Sequence, residues 1–291
     1  MPKSPNSSPL SLALKFTFKL FPNLGRVLNG HSLRMAKAPC GQRASRLMQN
    51  IKPFLVFVLW FWPAPVFAYA DQIETARLLA VLLDAGRVTV GVNQSLINDA
   101  GKGHKGFTVE VFEKQLFATF KQRTGIDVSD LKSAAVPEMA KPLLDRLLEE
   151  SRKTIASYQS VINIQGIAYK GLIPATFGTE TATRFNAWSG MYMKQIAPVR
   201  LLRNPRNKPD DFETAALEKI AQSYYHQNGE TMVSEVMDGG KSVRVLLPLF
   251  YDKACLSCHG EPKGQRDISG YPKEGAKEGD LGGAISVKID R

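Results

Sequence analysis

Cysteine is scarce in this chain: Cys40, Cys255 and Cys258 are the only thiols in 291 residues. Three thiols cannot build the disulfide framework of a small secreted domain. Histidine is nearly as rare, with His31, His104, His226 and His259 alone. A structural zinc site needs four ligands, normally two Cys or His pairs at matched spacing, and no second pair exists. Acidic residues are missing altogether from residues 1–70, which carry nine basic ones, from Lys3 to Lys52. Nine of the eleven formal positive charges therefore belong to that segment. Removing nine from 38 Lys and Arg leaves 29 against 27 Asp and Glu, a net +2 for residues 71–291. So even a balance gives no field for nucleic acid or for an anionic membrane surface.

Long apolar runs are absent too. The longest notable one is the nine-residue stretch Phe54–Trp62, well short of the ~20 residues of a transmembrane helix. Arg43, Arg46 and Lys52 precede it, and the small-residue pattern Ala68-Tyr69-Ala70 follows. Basic, apolar and small-residue parts in that order form a secretory signal peptide. We expect residues 1–70 to be a leader, starting near Met48 and cleaved near Ala70, and 71–291 to be the exported, periplasmic domain. The alternative is an anchor over residues 54–67. Cleavage would leave Cys255 and Cys258 as the only cysteines.

Those two cysteines stand in Cys255-Leu256-Ser257-Cys258-His259. Two thiols separated by two residues can each add to one vinyl group of a haem, and the next histidine then ligates the iron. A thioredoxin-like pair would open a helix after a strand, whereas Gly260, Glu261 and Pro262 follow here. Export agrees with the motif, since haem c is attached outside the cytoplasm. The spacing predicts one haem c per chain, with thioethers to Cys255 and Cys258 and His259 as proximal iron ligand.

The periodicities predict helices first. Residues 71–92 carry Ile73, Ala76, Ala80 and Leu83 on one face, and 99–106 is a glycine-rich loop. Thr108 caps a helix bearing Val109, Phe112, Leu116 and Phe120. Pro137 opens another, with Leu144, Leu147 and Leu148. Residues 160–169 read as β, and Arg203–Pro209 as a surface turn. Asp210 and Glu213 form a capping box for a helix with Phe212, Ala216 and Ile220. Glu230–Val236, Gly239-Gly240 and the alternation Val243, Val245, Leu247, Leu249 read as a hairpin. Ile285, Val287 and Ile289 make a last strand. Helices followed by an antiparallel sheet with a crossing helix is α+β.

Several stretches taken together are similar to the Tll0287-like haem domain family. They are Leu202–Asp210, Ala254–Pro262, Tyr271–Gly275 and Gly279–Val287, with Asn98-Asp99 and Lys105–Thr108 at the N-terminal side. The resemblance covers roughly 71–291. It implies a PAS-like antiparallel sheet holding a covalent haem c, in a family found both as lone secreted proteins and as the input domains of membrane sensors. The chain ends at Arg291, just after its last strand, so signalling would run through a partner protein.

The sixth iron ligand decides what such a haem does: a strong protein ligand favours electron transfer, an open position gas binding. The candidates are His104, His226, Met191 and Met193, with Met139, Met232 and Met237 behind them. Lys263, Arg266 and Lys273 could meet the propionates, and Tyr271-Pro272 could pack on the haem edge. The expected function is a redox or small-gas sensor module, for NO, CO or O2, working with a periplasmic redox or signalling partner. The alternative is a periplasmic electron-transfer cytochrome. No peroxidase-type distal His/Arg pair can be placed, and no enzyme activity is expected.

Overall fold

A computed structural model of the chain describes residues 64–222 and 232–291. The run 54–62, Met48, Cys40, His31 and His226 lie outside those residues.

The helical layer comprises α1 (Ala64–Val92), α2 (Gln94–Ile97), α3 (Val109–Thr124), α4 (Ala140–Ile162) and α5 (Pro174–Ser189). The Thr108 start holds, with its Oγ1 accepting from Val111 N. The Pro137 start does not: α4 begins at Ala140, and Pro137 lies in the turn before it, its carbonyl accepting from Ala140 N at 2.8 Å. Pro174, which the sequence did not mark as a helix start, takes the first turn of α5, where its missing N–H costs nothing. α1 packs on α3, α4, α5 and the sheet. Leu78, Leu79 and Leu82 are therefore buried, in addition to Ala76, Ala80 and Leu83 of the stripe read from the sequence. Each such side chain contributes about 1.5–3 kcal/mol by leaving water. α1 runs unbroken through Ala70, the expected cleavage point. Tyr69 donates its hydroxyl to Gly240 O at 3.1 Å, and the Arg291 guanidinium lies 5.6 Å from its ring. Among the described residues no helix is long and apolar enough to cross a membrane.

An expected strand is also missing. Residues 160–169 form no strand: Ile162 ends α4, and a loop follows. The alternation misled because Ile162 belongs to a helical stripe, two turns beyond the buried Ile155.

The sheet contains β1 (Tyr192–Ile196), β2 (Val233–Met237), β3 (Ser242–Phe250) and β4 (Leu281–Asp290) in the order β1-β4-β3-β2. All pairs are antiparallel, so the architecture is α+β, as expected. Asp238, Gly239 and Gly240 turn the β2–β3 hairpin with positive φ, where glycine carries no Cβ penalty. One face of the sheet sends Met193, Val243, Val245, Leu247, Ile285 and Val287 into the helical core.

Arg244 and Leu246, which alternate with these residues, lie on the other face. There α6 (Asp211–Ala221) covers the sheet, packing Ala216, Leu217 and Ile220 on Ile196, Leu246 and Ala284. Arg244 is buried there. Its Nη2 donates to Asp210 Oδ2 at 2.6 Å and Glu213 Oε1 at 2.8 Å. The rings of Tyr192 and Phe212 lie 4.8 and 4.9 Å from its guanidinium. Both halves of the Asp210–Glu213 capping box are made, so the residues that start α6 also neutralise β3's buried cation.

Candidate functional site

The motif lies in the connection from β3 to β4. Tyr251 closes the neck of this loop: its N–H donates to Asp280 O at 2.9 Å and its carbonyl accepts from Gly279 N at 2.8 Å. Inside it, Leu256–His259 forms a single helical turn, α7. Asp252 starts the turn, with Oδ1 accepting from Cys255 N at 3.0 Å. Cys258 N and His259 N both donate to Cys255 O, at 3.1 and 3.0 Å. The turn ends at Gly260, where any Cβ would sit 2.6 Å from Leu256 O.

A helical turn puts residues i, i+3 and i+4 on one face. Cys255, Cys258 and His259 stand in that relation. Both thiols are free and half-buried. Burial pushes the Cys255 thiol up to about 11, so it is held as a thiol. Thiols in this state can add across vinyl groups, the sulfur bonding one carbon and its hydrogen passing to the neighbouring one, with no oxidant consumed. The residues therefore fit a covalently held haem.

His259 is held from two sides. Its ring stacks on Tyr251 with centroids 4.6 Å apart and planes 23° apart. Tyr251 can lie there because residue 282 is glycine; a Cβ would be 2.6 Å from the tyrosine ring. The imidazole Nδ1 meets Glu274 Oε2 at 2.9 Å and the Tyr251 hydroxyl at 3.3 Å. Burial would raise the Glu274 pKa, but hydrogen bonds from Arg203 and His259 outweigh it and hold the carboxyl below its usual range. An ionised carboxylate only accepts, so Nδ1 carries the proton and Nε2 keeps its lone pair. Burial, followed by the charge of Arg203, lowers the His259 pKa, which favours the neutral ring. A neutral imidazole with Nε2 bare is the form that binds iron.

Arg203 organises the rest of the loop. It donates to Glu274 Oε1 at 2.8 Å and Oε2 at 3.0 Å, Asp267 Oδ2 at 2.7 Å, and Cys258 O at 3.0 Å. Its guanidinium lies 5.4 Å from the Tyr271 ring, whose hydroxyl donates to Arg203 O at 3.0 Å. The expected turn at 203–209 is there, with Asn204, Pro205, Arg206 and Lys208 exposed, but two of its side chains point inward: Arg203 is largely buried by the motif loop, and Asn207 is buried too. Tyr169, on the α4–α5 connection, is also near: burial raises its hydroxyl's pKa, and Asp267 and Cys258 add to the effect.

The sequence pointed to Cys255, Cys258 and His259, and these come together. It did not point to Arg203, Tyr251 or Glu274 as site residues. Among the sixth-ligand candidates, Met193 is buried in the helical core, Met191 packs against that core, and His104 is exposed in the 99–106 loop. Tyr271 packs on Arg203, and Arg266 donates to Gly270 O within its own turn.

Among solved structures, the chain is similar to a cyanobacterial haem protein, Tll0287. The identity is 18%, the match covers 54% of this chain and 98% of that one, and the TM-score is 0.36. No curated protein matches. The family model described as Tll0287-like matches residues 108–290. That span takes in both sheet faces, Arg203, the motif and Glu274, and with more than half of its length matched the chain belongs to the Tll0287-like family.

Proposed function

We propose that this is an exported c-type haem protein whose PAS-like domain acts as a redox or small-gas sensor module. Cys255 and Cys258 hold one haem through thioethers, and His259 binds its iron through Nε2. The observation that carries this reading is the single turn of α7. It sets two reduced thiols and a neutral, Nδ1-anchored histidine on one face. When bound, the haem supplies an iron centre that can change oxidation state or take a diatomic ligand.

Sensing is favoured over simple electron transfer by how the motif loop is tied to the domain. Arg203 bonds both to the carboxylate on His259 and to the Cys258 carbonyl, and it precedes the 3₁₀ turn and capping box that carry α6 onto the sheet. A change at the iron therefore has a short bonded route to the sheet's outer face. A periplasmic signalling or redox protein receives the signal.

Visible spectra of the exported protein test the reading. We expect a covalent haem c spectrum that changes when NO or CO is added to the reduced form, or, for a redox sensor, a six-coordinate spectrum indifferent to both. Absence of a haem c spectrum would contradict the proposal.

A further inference from the structure

We propose that Glu274 is a positioning residue that makes His259 an electron-rich ligand and so holds the iron in its ferric state. This rests on the haem reading above. Glu274 lies 15 residues beyond His259 and reaches it only because the loop folds back, with Ala276 N donating to His259 O at 2.8 Å. Its carboxylate is over-determined. Oε1 takes Arg203 Nε at 2.8 Å, while Oε2 takes both Arg203 Nη2 at 3.0 Å and His259 Nδ1 at 2.9 Å. Arg203 is itself fixed by Asp267, whose side chain is fully buried. The Tyr251 stack fixes the imidazole plane, so Nδ1 cannot turn away.

A histidine that donates Nδ1–H to a carboxylate gains electron density at Nε2 and becomes a more basic metal ligand than one bonded to water. A more basic ligand stabilises Fe(III) over Fe(II) and lowers the reduction potential. Arg203 moderates the effect by sharing the carboxylate, which keeps the ring an imidazole. The set Arg203–Glu274–His259 is thus a graded electronic control on the iron, reached from the domain side of the loop.

The test is a mediated potentiometric titration of wild-type protein and Glu274→Gln. The amide keeps the shape and removes the charge. At a fixed solution potential the Fe(II)/Fe(III) ratio should rise roughly tenfold, or 59 mV for one electron. The iron–His259 stretch in the resonance Raman spectrum of the ferrous protein should fall to lower frequency. An unchanged potential in a fully haem-loaded variant would overturn the proposal, as would a wild-type stretch at the frequency of an ordinary neutral imidazole. If Glu274→Gln loads no haem while the wild type does, Glu274→Asp, which withdraws the charge by one methylene, must show the rise instead. A wild-type protein without covalent haem would instead sink the haem reading itself, an outcome separate from these.

Discussion

Two arginines in this protein are solvated by nearly the same set of groups and do different work. Arg244, on β3, holds Asp210 and Glu213 and lies against Tyr192 and Phe212. Arg203, before α6, holds Glu274 and Asp267 and lies against Tyr271. In the first cage every partner belongs to the framework: Asp210 and Glu213 start α6, and Tyr192 is in β1. In the second, Glu274 has another partner, His259 Nδ1, and Arg203 also holds the Cys258 carbonyl. The difference is that one kind of ion cluster serves packing where its carboxylates end in caps, and reaches the proposed iron ligand where one of them ends on His259.

Removing Arg244 should have the largest effect on folding. Arg244→Ala leaves the buried Glu213 with Lys194 Nζ, 3.8 Å from Oε2, in place of its closer cation, a loss of about 3 kcal/mol or more. For a domain of this size each kcal/mol is worth roughly 2–4 °C of Tm, so calorimetry should show a fall of about 10 °C. Haem loading of the folded fraction should hold. If haem loading fell while Tm held, the two cages would have been assigned the wrong way round.

Arg203→Ala should invert that pattern. The expected cost in global stability is about 1–3 kcal/mol, since the loop can relax toward water. The larger consequence is local opening of residues 251–280, read as faster amide exchange there than in the sheet. Haem yield should drop with it. Uniform exchange across loop and sheet would count against a loop organised by Arg203.

Acid should act on both cages in the same direction and by less. Burial works to raise the pKa of Asp210, but bonds from the Glu213 N–H and from Arg244 bring it below its usual value. Burial likewise opposes, and Ser269 and Arg203 overcome, the shift at Asp267, whose pKa is also lowered. A carboxylate with a lowered folded pKa contributes stability that is complete above its unfolded value, about pH 4. That contribution is lost as pH falls through the lower folded value. Denaturation midpoints should therefore hold between pH 6 and 5 and decline below about 4. In Arg244→Ala the Asp210 part of the decline should shrink.

What the sequence revealed of this arrangement was whatever depends on near neighbours. The Thr108 cap, the Asp210–Glu213 box, the β2–β3 hairpin, the last strand and the Cys255–His259 motif are all local signals, and the described structure contains each of them. Residues 160–169 were misread because alternation over a few residues also fits the end of a helical stripe. The burial of Arg244 was not legible because alternation tells which residues share a face and not whether α6 will cover it. Arg203 was placed in a surface turn because its partners Cys258, Asp267 and Glu274 lie 55, 64 and 71 residues away. No spacing rule joins positions so distant. Glu274 and Tyr251 were missed for the same reason: their role exists only once the loop has closed on His259.

The central claim is that α7 carries a covalent haem. The direct measurement is the intact mass of the protein under denaturing conditions, beside that of Cys258→Ala. The account predicts a wild-type mass increased by one haem that denaturation and solvent extraction do not remove. In Cys258→Ala it predicts either no attached haem or a haem held by one thioether, with an altered absorption spectrum. A wild-type chain at its bare mass, with Cys255 and Cys258 both titrating as free thiols, would contradict it.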